Sequence, residues 1–246
     1  MKAFKALFLS EFRLSVRDMN VPIFGIMQPL IVAVIIGMVG SGPAFEGAGY
    51  SFLQQSFGAL VSIAVCANGL MGLPLTLADY RHKKILRQFM VTPVSPALML
   101  IVQFLVSFVM SLVSLASVWL LCSLFWGYTM TGNLLAFSLL YLLTAFAMFS
   151  IGMMIASVAA DIKAASLWCV IVYFPMFFFS GATIPYEIMP GIAQKIMNVL
   201  PLTHGIKLLK AASLGLPLDH LAVSVFLLFG VGILCSTLSA KFFKWT

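Results

Sequence analysis

The chain has 246 residues, of which 62% are hydrophobic and only 9% charged, and its formal net charge is +7. This composition excludes an ordinary water-soluble domain, in which about half of the residues are apolar and about a quarter are charged. The sequence therefore predicts an integral membrane protein whose positive charge reflects its topology and does not indicate nucleic-acid binding.

Six apolar blocks are each long enough to cross a bilayer. About 20 apolar residues suffice, because a helical rise of 1.5 Å per residue then covers a hydrocarbon core of about 30 Å. Strands are excluded, since an open sheet would leave backbone groups unpaired in lipid and barrel strands would alternate in polarity. The sequence predicts an all-α fold in one transmembrane domain, 1–246, with spans near 21–40, 54–77, 97–122, 133–157, 164–183 and 220–240.

Residues 1–20 precede the first span and form a basic amphipathic segment. Its apolar helical face carries Phe4, Leu7, Phe8 and Phe12, and its basic residues are Lys2, Lys5, Arg13 and Arg17. A helix of this kind is suited to lie in the inner headgroup layer. It can act as a topology anchor or take part in a mechanical movement, and the sequence leaves both roles open.

The loop 78–96, between the second and third spans, holds the densest run of charge. Its charged residues are Asp79, Arg81, Lys83, Lys84 and Arg87, and they are followed by the apolar Phe89 and Met90 and by two prolines, Pro93 and Pro96. A short charged helix with an apolar end, stopped by proline, is typical of a docking element for a cytoplasmic partner. A positive run beside a span is also a common topology signal, so both interpretations stay open.

The segment 181–219, between the fifth and sixth spans, is too polar to span simply and too apolar for a solvated loop. Prolines and glycines divide it into pieces of about 10 to 12 residues, a length typical of re-entrant or interfacial helices. We expect these pieces to lie at the outer face of the membrane.

Lysine and arginine are distributed unevenly between the two faces that these spans define. With both termini in the cytoplasm, the inner face collects 11 of the 14 basic residues, and the outer face keeps Lys195, Lys207 and Lys210. Since cytoplasmic loops are enriched in these residues, we expect a multi-pass protein of the inner, cytoplasmic membrane with both termini inside.

The sequence contains none of the motifs that would give this chain its own chemistry. It lacks the G-x-x-x-x-G-K-[ST] phosphate loop, the H-E-x-x-H zinc motif and the G-x-S-x-G nucleophile elbow. We therefore predict no catalytic residue, no metal site and no cofactor in this chain. The centres of the predicted spans also carry no charge, which counts against an ion-coupled carrier or a charged-pore channel. A membrane-embedded lipid-modifying enzyme remains a further alternative, although it would need polar groups gathered at one depth.

Three segments together resemble the membrane subunit of ABC-2 type transporters. The N-terminal segment, with Arg13, Arg17, Asp18, Pro22 and Pro29, looks like the connecting helix of that family. The loop LADYRHKKILRQFMVTPVSP looks like its coupling helix, with Asp79 where glutamate is more usual. The outer segment has small residues and prolines in the expected order, namely Ser180, Gly181, Pro185, Met189, Pro190, Leu200, Pro201, Leu202 and Thr203.

The resemblance implies a permease subunit of an ATP-driven exporter that moves a hydrophobic or amphipathic cargo. It implies a second permease subunit, in a homodimer or heterodimer, and a separate cytoplasmic ATP-binding subunit that holds ATP and Mg. It places contact with the ATP-binding subunit on the loop residues Asp79, Arg81, Lys83, Lys84, Arg87, Phe89 and Met90. The cargo path would be lined by the second and fifth spans at the dimer centre. On the fifth span Tyr173, Phe174, Phe177 and Phe178 surround Pro175. The alternative interpretation, which the sequence favours, is that most of these aromatic side chains face lipid or neighbouring helices.

Overall fold

The computed structural model describes residues 2–17, 22–40, 50–85, 96–181, 190–217 and 221–242. Its helices are α1 (Lys2–Arg17), α2 (Ile23–Met38), α3 (Phe52–His82), α4 (Pro96–Trp126), α5 (Leu134–Val158), α6 (Ile162–Phe179), α7 (Gly191–Met197), α8 (Pro201–Leu214) and α9 (Ala222–Phe242). No β-strand occurs in the described ranges. The all-α prediction is confirmed.

Five of these helices are long and apolar enough to cross a membrane, and they are α3, α4, α5, α6 and α9. They match the second to sixth predicted spans, with ends that differ by a few residues. The predicted first span, 21–40, contains α2, which is a shorter apolar helix. The structure thus supports five spanning helices by length and composition.

Helix α3 lies at the centre of the bundle. In its most apolar 18-residue stretch 89% of the residues are buried inside the protein, against 28% for α6 and for α9. The helix begins at Phe52, where Ser51 and Gln54 form a reciprocal cap. The Ser51 hydroxyl accepts a hydrogen bond from the Gln54 backbone amide, and the Gln54 side chain accepts one from the Ser51 backbone amide. A long central helix of this kind connects one end of the bundle to the other.

Two π-helical turns face each other inside the bundle, at Ile23–Met27 and Asn68–Gly72. Each precedes a proline, Pro29 or Pro74, whose missing N–H and ring disturb the carbonyl four residues earlier. The carbonyl of Gly25 stands four residues before Pro29. It accepts a hydrogen bond from Asn68 Nδ2 at 3.4 Å and another from the Ser114 hydroxyl. The Gly25 carbonyl, which the π turn frees from its helical hydrogen bond, is therefore satisfied by donors from two neighbouring helices.

Close backbone approach sets the spacing of α3 and α5. A Cβ atom added to Gly152 of α5 would overlap the carbonyl oxygen of Gly69 in α3. Only glycine allows this separation, because any side chain at 152 would need the two backbones to move apart. The same helix, α5, also packs along α9, so it joins the centre of the bundle to its edge.

The segment after α6 folds back on the bundle through the short helices α7 and α8. Helix α8 is largely buried and packs against α3 and α5. Its final turn contacts the α4–α5 loop, where the Gly132 amide donates to the Ser213 carbonyl at 3.0 Å. Residues 182–189 and 218–220 of the predicted re-entrant region lie outside the described residues. Its division into short helical pieces is observed for α7 and α8.

Candidate functional site at the basic end of the bundle

The helix α3 ends in a group of charged side chains, and we call this end of the molecule the basic end. The Lys83 ammonium pairs with Asp79 one turn earlier, with 2.7 Å between Nζ and Oδ2, and both side chains are partly or fully exposed. Lys84 follows with a φ of 55°, in the left-handed region that commonly terminates helices. The regular α-helix therefore ends at His82, with Lys83 as its C-cap.

Arg81 contacts the rest of the bundle. Its Nη1 donates to the Ala159 carbonyl at 2.7 Å, and its Nη2 donates to the Ala156 carbonyl at 2.9 Å. These carbonyls are at the C-terminal end of α5, where carbonyl groups lack helical partners and the helix dipole is negative. The guanidinium thus fixes the end of α3 to the end of α5, although the sequence alone predicted a contact with a partner subunit.

Glu11 of α1 is a functional candidate that the sequence reasoning missed. Its side chain is buried against the bundle with 4% exposure. One carboxylate oxygen, Oε2, accepts a hydrogen bond from the Tyr80 hydroxyl and another from Gln103 Nε2, each at 2.5 Å. The signal was present in the sequence, since Glu11 follows Leu7 by four residues and so falls on the apolar face of the helix.

Burial controls the protonation of Glu11. Removal from water raises the pKa of the Glu11 carboxyl above its ordinary value, and the hydrogen bonds from Tyr80 and Gln103 act in the opposite direction. Burial is the larger of these effects. The group is therefore more easily protonated than a surface glutamate.

A cleft of about 630 Å³ opens next to this group, between α1, α3 and α6. Helix α1 contributes Leu14, Ser15 and Arg17, helix α3 contributes residues that include Tyr80, and Ile162 and Ser166 come from the start of α6. The C-terminal turn of α1 is thus separated from α6 by open space. Helix α1 packs mainly on α4.

Three of the predicted coupling residues, Arg87, Phe89 and Met90, lie outside the described residues. Asp79, Arg81, Lys83 and Lys84 are described and lie together at the basic end, so the structure brings these four into one area. Their role in binding a partner stays a prediction. In the described ranges, no group of three or more His, Cys, Asp or Glu side chains is placed to hold a metal ion.

The aromatic residues of α6 face in different directions. Tyr173 is buried, and its hydroxyl donates to Gln28 Oε1 of α2 at 2.7 Å. Phe177 stacks on Tyr173 with 5.9 Å between ring centroids. Phe174 and Phe178 are exposed on the surface of the chain, and Pro175 lies inside the continuous helix. The predicted cluster is therefore divided between the bundle interior and its outer surface.

Residues 2–214 match the family model described as ABC-2 type transporter. The chain belongs to the ABC-2 type transporter family. This ABC-2 chain is also similar to Nodulation protein J of Rhizobium meliloti (strain 1021), with 32% identity over 120 residues, or 49% of the chain and 44% of that protein. It is 33% identical over 85 residues to the inner membrane transport permease YhhJ of Escherichia coli (strain K12), or 35% of the chain and 23% of that protein.

Each of these alignments spans less than half of the curated relative. Membership of the ABC-2 type transporter family agrees with the five helices of the described ranges that are long and apolar enough to cross a membrane. Permeases of this family normally work with an ATP-binding subunit.

Proposed function

We propose that this chain is the membrane-spanning subunit of an ATP-driven exporter, and that its basic end docks on a separate cytoplasmic ATP-binding subunit. The observation that carries this proposal is that α1 and the end of α3 lie at the same end of the bundle, joined by the hydrogen bond from Tyr80 to Glu11, in a chain of the ABC-2 family. ATP and Mg²⁺ would be held by the partner, and this chain would convert the partner's movement into transport.

Docking would involve residues 79–92, where an exposed charged helix end leads into the apolar Phe89 and Met90. Lys83 and Lys84 are exposed and would attract an acidic surface of the partner. The aromatic side chain of Phe89, once buried in the partner, would supply most of the binding free energy. Arg81 would act within the chain by keeping the end of α3 fixed to α5 during that contact.

A push at the basic end would reach the opposite end through α3. This helix runs without a break from Phe52 to His82 and is surrounded by other helices. Its π turn at Asn68–Gly72 packs against the π turn of α2, which provides a place where the two helices can change their relative angle. Alternating access would then follow from tilting of α2 and α3.

The orientation we propose places the basic end and both termini in the cytoplasm, in the inner membrane. The excess of lysine and arginine at this end supports that direction. Helix α2 would complete a set of six spans together with its flanking residues, since mismatch between a short helix and the bilayer has a modest cost. Helices α7 and α8 would then lie at the outer face.

The exposed apolar surfaces of α6 and α9 would face lipid and a second permease subunit, either a copy of this chain or a homologue. Phe174 and Phe178 are among the large aromatic side chains that α6 exposes, together with Trp168 and Phe179. A hydrophobic or amphipathic cargo would suit a path bounded by such residues. The buried Tyr173 would support this surface from within and would not contact cargo directly.

The test is reconstitution of the chain with the ATP-binding protein encoded by an adjacent reading frame. We expect the two to co-purify and ATP hydrolysis to depend on the membrane subunit, with both properties lost in the Arg87→Ala, Phe89→Ala double variant. Lys195→Ala, which removes one charge from α7, is the control and should behave as wild type. A chain that purifies alone and leaves ATP hydrolysis unchanged would overturn the proposal.

A further inference from the structure

One carboxylate oxygen joins three helices at the basic end. Glu11 is on α1, Tyr80 is in the last turn of α3, and Gln103 is near the start of α4. The sequence separations from Glu11 are 69 and 92 residues, so only the tertiary fold brings the three side chains together. We call these three residues the Glu11 junction.

Both hydrogen bonds of the junction end on the same acceptor atom. Glu11 Oε2 accepts from the Tyr80 hydroxyl and from Gln103 Nε2. No cation pairs with Glu11 in the described part of the chain. The two neutral donors are therefore what holds this carboxylate in position.

A buried acidic group is a costly way to attach an amphipathic helix. The other contacts of this face, through Leu7 and the phenylalanines, are apolar, and a leucine at position 11 would continue them without desolvating a charge. A directional group does what a leucine cannot, because its hydrogen bonds fix the rotation and register of α1 against two other helices. The Glu11 junction thus fixes the rotation and register of α1, while the burial of the carboxyl group lowers the stability of the folded state.

The cleft beside the junction lies next to the C-terminal end of α1, where packing contacts with α3 and α6 are interrupted. Ser15 and Arg17 of α1 line the cleft, so the C-terminal end of the helix borders open space between α3 and α6. Tyr80 lines the same cleft and stands between Asp79 and Arg81, the residues at the base of the proposed docking segment. Helix α1 packs mainly on α4, so the hydrogen bond from Tyr80 is a direct polar link between α1 and α3.

We propose that Glu11 is a positioning residue that locks α1 to α3 and α4, so that the three helices move as one lever when the ATP-binding subunit closes. This inference rests on the proposed function for its driving force. Its structural content, that the junction sets the position of α1 relative to α3, can be measured on the chain alone.

The first measurement uses no ATP-binding subunit. Spin labels are attached at Ser10→Cys and His82→Cys, both exposed positions, after the four native cysteines are replaced. We expect a narrow distance distribution for the wild-type junction and a broad one in Glu11→Leu and Tyr80→Phe, which remove the acceptor and one donor. The control is Tyr141→Phe, which removes another buried tyrosine hydrogen bond, from Tyr141 to the Ser111 hydroxyl at 2.7 Å. Equal distributions in Glu11→Leu, Tyr80→Phe and this control would overturn the proposal.

The second measurement adds the ATP-binding subunit and follows ATP hydrolysis. We expect the stimulation of hydrolysis by the membrane subunit to fall about fivefold or more in Tyr80→Phe, as for a typical coupling between linked sites, and to be retained in Tyr141→Phe. Trapping with ATP and vanadate should leave the Ser10–His82 distance unchanged in the wild-type junction and shift it in Tyr80→Phe.

The outcomes separate the two proposals. If the wild-type chain gives no stimulation, the proposed function fails, and the lever fails with it even where the first measurement shows a fixed junction. If the wild-type chain stimulates hydrolysis and Tyr80→Phe matches Tyr141→Phe in both measurements, the proposed function stands and the role of Glu11 is overturned.

Discussion

The hydroxyl of Tyr80 donates a hydrogen bond to the carboxylate of Glu11 across a sequence separation of 69 residues. The burial of Glu11 at this contact gives the stability of the protein a specific pH dependence, because burial outweighs the hydrogen bonds and raises the pKa of Glu11 above its ordinary value of 4.5. The folded state then holds the Glu11 proton more tightly than the unfolded state does. The stabilisation from protonated Glu11 is complete below the unfolded pKa and is lost as the pH rises through the folded pKa.

We therefore expect the wild-type chain to lose thermal stability relative to Glu11→Gln as the pH rises through this window. Glutamine keeps the size of the side chain and cannot ionise, so the difference between the two melting curves isolates the carboxyl group. Melting in detergent at a series of pH values measures it. A difference that stays constant with pH would contradict the assignment of a raised pKa to Glu11.

The close approach of Gly152 and Gly69 predicts a large effect for a single methyl group. Gly152→Ala would force the backbones of α3 and α5 apart, and we expect a loss of about 1–3 kcal/mol, the usual cost of overpacking. Gly230→Ala is the matched control, since a Cβ there meets no atom within 4 Å, and it should be neutral or slightly stabilising. Unfolding in a graded denaturing detergent would compare them, and equal effects would show that the two helices are not in contact at this point.

The fork of hydrogen bonds from Arg81 predicts that a lysine cannot replace it. Arg81→Ala leaves two carbonyls at the end of α5 without their donors, at a cost of about 1.5–3 kcal/mol for bonds to a charged group. Arg81→Lys should recover only part of this, because an ammonium does not reproduce the planar fork. Lys83→Ala breaks an exposed ion pair and should cost less than about 1 kcal/mol. If Lys83→Ala were as damaging as Arg81→Ala, the structural role of Arg81 would be wrong.

The paired π turns predict a moderate role for Asn68. Its amide contacts the Gly25 carbonyl of α2, and a typical hydrogen bond between membrane helices contributes about 0.6 kcal/mol and at most about 1.7. We expect Asn68→Ala to lower stability by an amount in that range. Ser117→Ala removes a hydroxyl that bonds only within its own helix and should have no measurable effect. A stability loss in Ser117→Ala equal to that in Asn68→Ala would argue against a link between the two turns.

Five of the six predicted spans match helices long enough to cross a membrane. They were predictable because a continuous apolar run indicates a span whichever helices become its neighbours. The π turns were less accessible, since the positions of Pro29 and Pro74 indicate a disturbed helix but do not specify how the freed carbonyl is satisfied. The contacts of Arg81 and Glu11 depend on partners far away in the chain. A charge beside a span therefore looked like part of an external surface, although the fold directs Arg81 inward.

The aromatic residues of α6 also show that contacts with distant residues cannot be predicted from the sequence. Sequence alone grouped Tyr173 with Phe178 because both flank Pro175, yet the first is buried against Gln28 and the second is exposed. Helical spacing separates such residues onto different faces, but only the neighbouring helices decide which face is inside.

Site-specific photocrosslinking in cells tests the central claim most directly. A photoreactive amino acid at position 84, on the exposed turn that ends α3, would lie against the ATP-binding subunit, and one at position 135, at the opposite end of α5, would not. The account predicts a crosslink to the ATP-binding subunit from position 84 and none from position 135. A crosslink from position 135 alone, or from neither position in a complex that hydrolyses ATP, would contradict docking at the basic end.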